Sequence, residues 1–122
     1  IGTTTSARME RFTLGLARDY GVRAIVGKGG LLEGSTRVMK EYGGCYLAIV
    51  GGAAALETTQ IEEIEAVYWE DLMPECLWQF RVRDFGPLIT AIDSHGGNLY
   101  LNVEEEVRRR LPAIYQSLGI AV

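Results

Sequence analysis

Two short stretches of this chain carry residue types that could do chemistry together. Gly2-Thr3-Thr4-Thr5-Ser6-Ala7-Arg8-Met9 places a run of hydroxyls before a single arginine, and Gly27-Lys28-Gly29-Gly30 sets a lysine in a glycine loop. A helix that starts in the first stretch leaves backbone N–H groups unpaired, and its partial positive charge favours an anion there. Thr4 and Thr5 could donate hydroxyls to that anion, or Thr5 or Ser6 could serve as a plain N-cap. Arg8 offers a planar fork that grips a carboxylate through two parallel hydrogen bonds, and Lys28 a compact point charge. The glycines let backbone approach a ligand closely. The two stretches together describe a seat for a small carboxylate or phosphate.

Those residues need elements to hold them. Apolar side chains at Met9, Phe12, Leu16 and Tyr20 recur at three and four, which predicts an amphipathic helix over 6–20 with Gly21 as its stop. A short strand over 23–26 feeds the glycine loop. Ser35 or Thr36 then caps a helix through Tyr42, which ends at Gly43-Gly44. The continuous apolar run of 45–50 reads as a buried strand, and a short Ala-rich helix follows over 53–57. Helix, strand, helix, strand, helix favours a parallel sheet. The second half is richer in strands, over 64–69, 78–82 and 88–93. His95-Gly96-Gly97-Asn98 is a turn into a strand over 99–101, and Asn102 with Glu105 makes a capping box for a last helix that Pro112 should kink or interrupt. The fold class is α/β, with a mostly parallel sheet first and a mixed or second sheet after it.

Composition narrows the function classes. The chain has 122 residues, 48% of them hydrophobic and 23% charged, which suits one domain around one core. A net charge of −4 argues against a nucleic-acid partner. Arg108-Arg109-Arg110 reads as a solvated helix face balanced by Glu104, Glu105 and Glu106. No apolar run is long enough to cross a bilayer and no leader pattern is visible, so the expectation is a cytoplasmic protein without a membrane partner. Cys45 and Cys76 lack paired spacing; a reduced compartment and small buried thiols are the simpler reading. With His95 they make too small a ligand set for zinc or an iron–sulfur cluster, so a metal that takes part must come from another polypeptide. His95 reads as a loop residue, Asp84 and Asp93 as local caps, Trp69 and Trp78 as core or interface anchors, and Glu62, Glu63 and Glu65 as a solvated edge.

The two stretches, followed in order by Asp71-Leu72-Met73-Pro74-Glu75, Asp84-Phe85-Gly86-Pro87-Leu88 and Asp93-Ser94-His95-Gly96-Gly97-Asn98, resemble the beta subunit, or C-terminal region, of the iron–sulfur-dependent class I fumarate hydratases and L(+)-tartrate dehydratases. The resemblance implies a swivelling β/β/α domain over 1–122 that lacks an N-terminal segment carried by family members, in which the arginine of an Arg-Asp…His motif also contacts substrate. It implies a hydro-lyase of small dicarboxylates: reversible hydration of fumarate to (S)-malate as the main reading, dehydration of L(+)-tartrate to oxaloacetate as the alternative. A 4Fe-4S cluster would be supplied by an alpha subunit, held there by three cysteines, with none bound by this chain. The family's substrate contacts fall on Thr4, Thr5, Arg8 and Lys28, and its candidate base on Thr4. A homodimer or hetero-oligomer is expected.

Departures from the family pattern fall in loops. The usual glycine is missing between Leu72 and Met73, Gly97 stands for an asparagine, and Leu31 for a methionine. Ala7 is more usual among the fumarases. Two other classes stay open: a non-catalytic dicarboxylate-binding module, and a structural domain whose apolar surface docks a larger subunit.

Overall fold

The computed structural model describes residues 4–49, 57–73 and 75–120. Strand β1 (Ala24–Lys28), helix α2 (Glu33–Tyr42) and strand β2 (Cys45–Ile49) form a β-α-β unit, with Ala24 beside Cys45 and Lys28 beside Ile49 in a parallel register. A crossover helix is what lets consecutive strands run parallel. Strand β5 (Ile89–Ile92) closes the other edge of β2 in the antiparallel sense, giving the order β1-β2-β5. The sheet is thus mixed, with β2 at its centre. Burial follows: Leu31, Met39, Tyr46, Ala48, Ala91 and Ile92 make the core, and Ile25 packs against it.

The first helical segment departs from a uniform α-helix. Ser6–Phe12 is a 3-10 helix that passes directly into α1 (Thr13–Asp19), and Gly21 follows in the left-handed region at φ 68° as the expected stop. Thr5 occupies the N-cap position but makes no side-chain cap bond, and Ser6 turns into the core instead. Thr5 is therefore the N-cap by position, without a hydroxyl bond to the helix, and Ser6 is not a cap. Helix α2 likewise starts earlier than expected. Neither Ser35 nor Thr36 caps it; the Glu10 carboxylate does so from across the molecule, accepting from Leu32 N at 2.5 Å and Ser35 N at 3.2 Å. An anion at a helix N-terminus satisfies orphan donors and meets the favourable end of the dipole. Ser35, fully buried, is spent on a 2.9 Å hydrogen bond to Thr13 that ties α2 to α1. At the other end Gly43 adopts φ 71° and closes the helix as predicted.

The expected helix over 53–57 lies, save for Glu57, outside the described residues, as does Val50 at the end of the second predicted strand. Strands β3 (Ile61–Tyr68) and β4 (Leu77–Val82) pair as a separate antiparallel sheet. Two register shifts in β3 bring Ile61, Ile64 and Val67 opposite Val82, Phe80 and Trp78 on one face, although they are spaced by three. The bulges absorb the mismatch with a period of two. Arg81 bridges Glu63 and Glu65 at 3.0 and 2.8 Å and Arg83 pairs with Glu62, so the acidic edge is a paired one.

The strand expected over 99–101 is the start of a helix. Helix α3 runs Leu99–Ser117 without interruption through Pro112, and its N-cap is Asn98 rather than Asn102. Asn98 Oδ1 accepts from Tyr100 N (2.9 Å) and Leu101 N (3.3 Å), while Nδ2 donates to Leu31 O (3.2 Å) and Thr36 Oγ1 (2.8 Å). One buried amide thereby starts α3 and fastens it to the glycine loop and α2. A terminal amide has both a donor and an acceptor end, which is why asparagine can do both jobs.

Candidate functional site

The candidate residues lie at the carboxyl end of the parallel strands, where open α/β sheets place ligands. Lys28 is the last residue of β1, and Thr5 bridges to it in the parallel sense on the side away from β2. The chain then turns, with Arg8 N donating to Thr5 O at 3.1 Å, so Arg8 falls in the first turn beyond that bridge. Thr4, Thr5 and Arg8 are exposed or partly so, and Lys28 is half-buried. Neither Arg8 nor Lys28 enters an ion pair among the described residues. Glu10, the nearest acid in sequence, is turned away to cap α2.

Beneath this edge lies a residue that the motifs did not single out. The Tyr46 hydroxyl, on a fully buried ring in β2, sits 2.9 Å from Ser6 Oγ and 2.8 Å from Gly29 O. It joins the hydroxyl-rich segment to the lysine loop. Burial pushes the phenol pKa above its ordinary value, and the hydrogen bond with Ser6 opposes that shift in part. The signal in the sequence was a tyrosine inside an aliphatic run, since a buried phenol must find a polar partner.

The glycines serve this packing. A Cβ on Gly27 would overlap the Ser6 hydroxyl and stand 3.2 Å from that of Tyr46. Gly29, at φ 69°, would bring a Cβ to 3.1 Å from the Thr5 methyl. The Tyr100 ring at the start of α3 covers Gly30, 2.8 Å from where a Cβ would be. Three segments distant in sequence thus meet on one loop.

A cavity of about 310 Å³ opens beside Thr4 and Ser6, walled by Phe12, Leu16, Ile25 and Leu31. Its apolar walls suit hydrocarbon, and neither Arg8 nor Lys28 lines it. The charged edge and the cavity are neighbouring but distinct features, with Thr4 at the boundary.

Asp93 and His95 share one turn. Asp93 Oδ1 accepts from His95 N and Gly97 N, both at 2.8 Å, which holds its carboxyl below the usual range, Gly97 contributing most. A Cβ at position 97 would stand 2.7 Å from Asp93 Oδ2, so the glycine there fits this turn. His95 is exposed and contributes its backbone N–H. Cys45 is half-buried, and Cys76 is buried with its sulfur 3.2 Å from that of Met73. Among the described residues no three of His, Cys, Asp and Glu converge as a metal site requires.

The family model described as the fumarase C-terminus matches residues 1–103. The chain belongs to this family. Among its relatives, the putative L(+)-tartrate dehydratase subunit beta of Methanocaldococcus jannaschii is 42% identical over 113 residues, which cover 91% of this chain and 58% of that protein. The L(+)-tartrate dehydratase subunit beta of Escherichia coli K12 is 45% identical over 100 residues, 81% of this chain and 50% of that one. A putative class I fumarate hydratase of Geobacillus stearothermophilus is 39% identical over 111 residues, 90% of this chain and 21% of its own length. The chain spans about half the length of the beta subunits it matches. In this chain the Thr-Thr-Ser-Ala-Arg and Lys-Gly-Gly segments are neighbours in space as well as motifs in sequence.

Proposed function

We propose that this chain is the beta part of a hydro-lyase for four-carbon dicarboxylates, with L(+)-tartrate as the leading substrate and fumarate as the second. Relatives named as tartrate dehydratase beta subunits support the first reading, against the weight that Ala7 gave to fumarate. The relative named as a putative class I fumarate hydratase keeps the second. Loss of water from tartrate gives the enol of oxaloacetate, which becomes the ketone; addition of water to fumarate gives malate.

The observation that carries this reading is the bridge between Thr5 and Lys28 with Arg8 in the next turn, two cations unmatched by any carboxylate among the described residues. In the proposal Arg8 grips one substrate carboxylate through paired hydrogen bonds and Lys28 adds its charge, fixing the carbon chain across the hydroxyls of Thr4 and Thr5. Thr4 is the candidate to move the proton. Its hydroxyl is a weak base, and two nearby cations favour the alkoxide form that it would need. A 4Fe-4S cluster carried by an alpha subunit would supply Lewis-acid polarisation of the substrate oxygens.

The test is co-expression with an alpha partner under anaerobic conditions and assay of both substrates. Arg8→Ala should lower kcat/KM by roughly 10²-fold or more, as the loss of a charged hydrogen-bonding pair of about 1.5–3 kcal/mol per bond implies, with unchanged far-UV circular dichroism. Wild-type kinetics in that variant would remove the seat. Turnover of neither substrate with an intact cluster would remove the hydro-lyase reading.

A further inference from the structure

Glu10 belongs to the segment that carries Arg8, yet its side chain is bound to a different helix. In the 3-10 helix Ser6–Phe12 the two residues are two positions apart, which sets their side chains roughly 120° apart around the axis. Arg8 is exposed, whereas Glu10 is half-buried, with Oε2 accepting from Leu32 N at 2.5 Å and Oε1 from Ser35 N at 3.2 Å. Leu32 lies four residues beyond Lys28, past the glycines of the loop and in the N-cap position of α2. A second tie between the same two segments runs through Tyr46, from Ser6 to Gly29. Arg8 therefore sits midway between two ties, Ser6 two residues before it and Glu10 two residues after, and both end on the chain that follows Lys28.

Gly34 supplies the room that this contact needs. It stands in the first turn of α2 without a positive φ, so the backbone does not call for a glycine there, and alanine would ordinarily favour the helix. A Cβ at this position would lie 2.7 Å from Glu10 Oε1, the oxygen that accepts from Ser35 N. The space a side chain would take is filled by the carboxylate of Glu10.

We infer that Glu10 is a positioning residue for the carboxylate seat: anchored on α2, it fixes the placement of Arg8 relative to Lys28 and keeps its own negative charge away from both. The inference rests on the reading of Arg8 and Lys28 as that seat. Asn98 holds Leu31 O from the side of α3, so the lysine loop keeps an anchor when Glu10 is lost, and what goes is the tie to the segment of Arg8. Paired hydrogen bonds from a guanidinium to a carboxylate are directional, so displacement of Arg8 weakens the hold on substrate. A loss of binding shared by ground state and transition state raises KM and leaves kcat in place.

The experiment uses the anaerobically assembled complex of this chain with an alpha partner. It reads kcat and KM for the substrate turned over and, by calorimetry, Kd for succinate, a four-carbon diacid with neither a hydroxyl nor a double bond to react. Gly34→Ala should raise KM and Kd roughly tenfold with kcat within about twofold, because its methyl crowds Glu10 Oε1. Its Tm should stay close to wild type, since the helix preference of alanine offsets the loosened cap. Glu10→Ala should raise the same two constants by a similar factor and lower Tm, having lost the cap altogether. Gly34→Ala added to Glu10→Ala should raise neither constant further, because the group it crowds is gone. A purely structural role predicts instead that activity falls only as Tm does and that Gly34→Ala is silent. Wild-type KM and Kd in Gly34→Ala and Glu10→Ala beside a disabled Arg8→Ala would overturn the role of Glu10 and leave the seat standing, as would effects that multiply in the double variant. Wild-type constants in Arg8→Ala would remove the seat and this inference with it.

Discussion

Tyr46→Phe removes one oxygen atom and leaves the ring that fills the centre of the core. The Tyr46 hydroxyl holds two hydrogen bonds, at 2.9 Å to Ser6 Oγ and 2.8 Å to Gly29 O. Ser6 is buried, so without the phenol its hydroxyl has no easy route to water; Gly29 is exposed, and its carbonyl can be rehydrated. A typical intramolecular bond is worth about 1 kcal/mol net, and a stranded buried partner costs about 1–3 kcal/mol. With the second bond largely replaced by water, the expected loss is ~2 kcal/mol. For a domain of this size that shifts Tm by roughly 6–10 °C. Urea unfolding followed by circular dichroism should show a lower midpoint at unchanged slope. The same loss should fall away above about pH 10: burial raises the folded phenol's pKa, so wild-type stability present below the unfolded value declines as pH rises through the folded one, and the Tyr46→Phe variant lacks that decline. Ser6→Ala should cost less in the Tyr46→Phe background than in the wild type, because its partner is already gone. A Tyr46→Phe change below about 0.5 kcal/mol, or strict additivity with Ser6→Ala, would refute the claim that this phenol ties the hydroxyl segment to the lysine loop.

Two further outcomes concern Gly27, in the same packing, and Asp93, in the turn before α3. Gly27→Ala should destabilise by roughly 1–3 kcal/mol, since its Cβ would overlap the Ser6 hydroxyl, and Gly27→Ala/Ser6→Ala should regain part of that in thermal melts. At Asp93 the folded carboxyl lies below its ordinary value because Gly97 and His95 N–H groups favour the charged form. Its contribution is therefore present above the ordinary carboxylate pKa and lost as pH falls through the lowered folded value. Asp93→Asn should be less stable than the wild type near neutrality, and the two Tm curves should converge on acidification; a gap that stays constant down to about pH 2 would exclude this origin.

Much of the fold was legible because it is written locally. The β1-α2-β2 unit, its left-handed glycine stops and the central apolar strand all follow from periodicity and from glycine's freedom at positive φ. Several of the departures share a cause, a group whose partner lies far away in the chain, as Glu10 does from the start of α2. Ser35 and Asn102 have the chemistry of caps, but the caps in place are Glu10, brought to α2 by packing, and Asn98, which directly precedes α3 and is anchored from Leu31 and Thr36. Tyr100 looks like strand material until Asn98 starts a helix and sets the ring over Gly30. β3 hides its apolar face in the sequence because bulges convert a spacing of three into a single side.

The candidate site divides in the same way. The sequence by itself determined its chemistry: hydroxyls, one guanidinium, one ammonium and glycines, a set that suits a carboxylate, together with membership of the fumarase C-terminal family. Only the tertiary structure decided that Thr5 lies against Lys28, that Ser6 belongs to the core rather than to a helix cap, and that Tyr46 is the joint between the two segments. Residue types are fixed by local sequence, whereas the partner of a buried hydroxyl is set by strand register and by which glycine leaves room for it, and those depend on the whole folded chain.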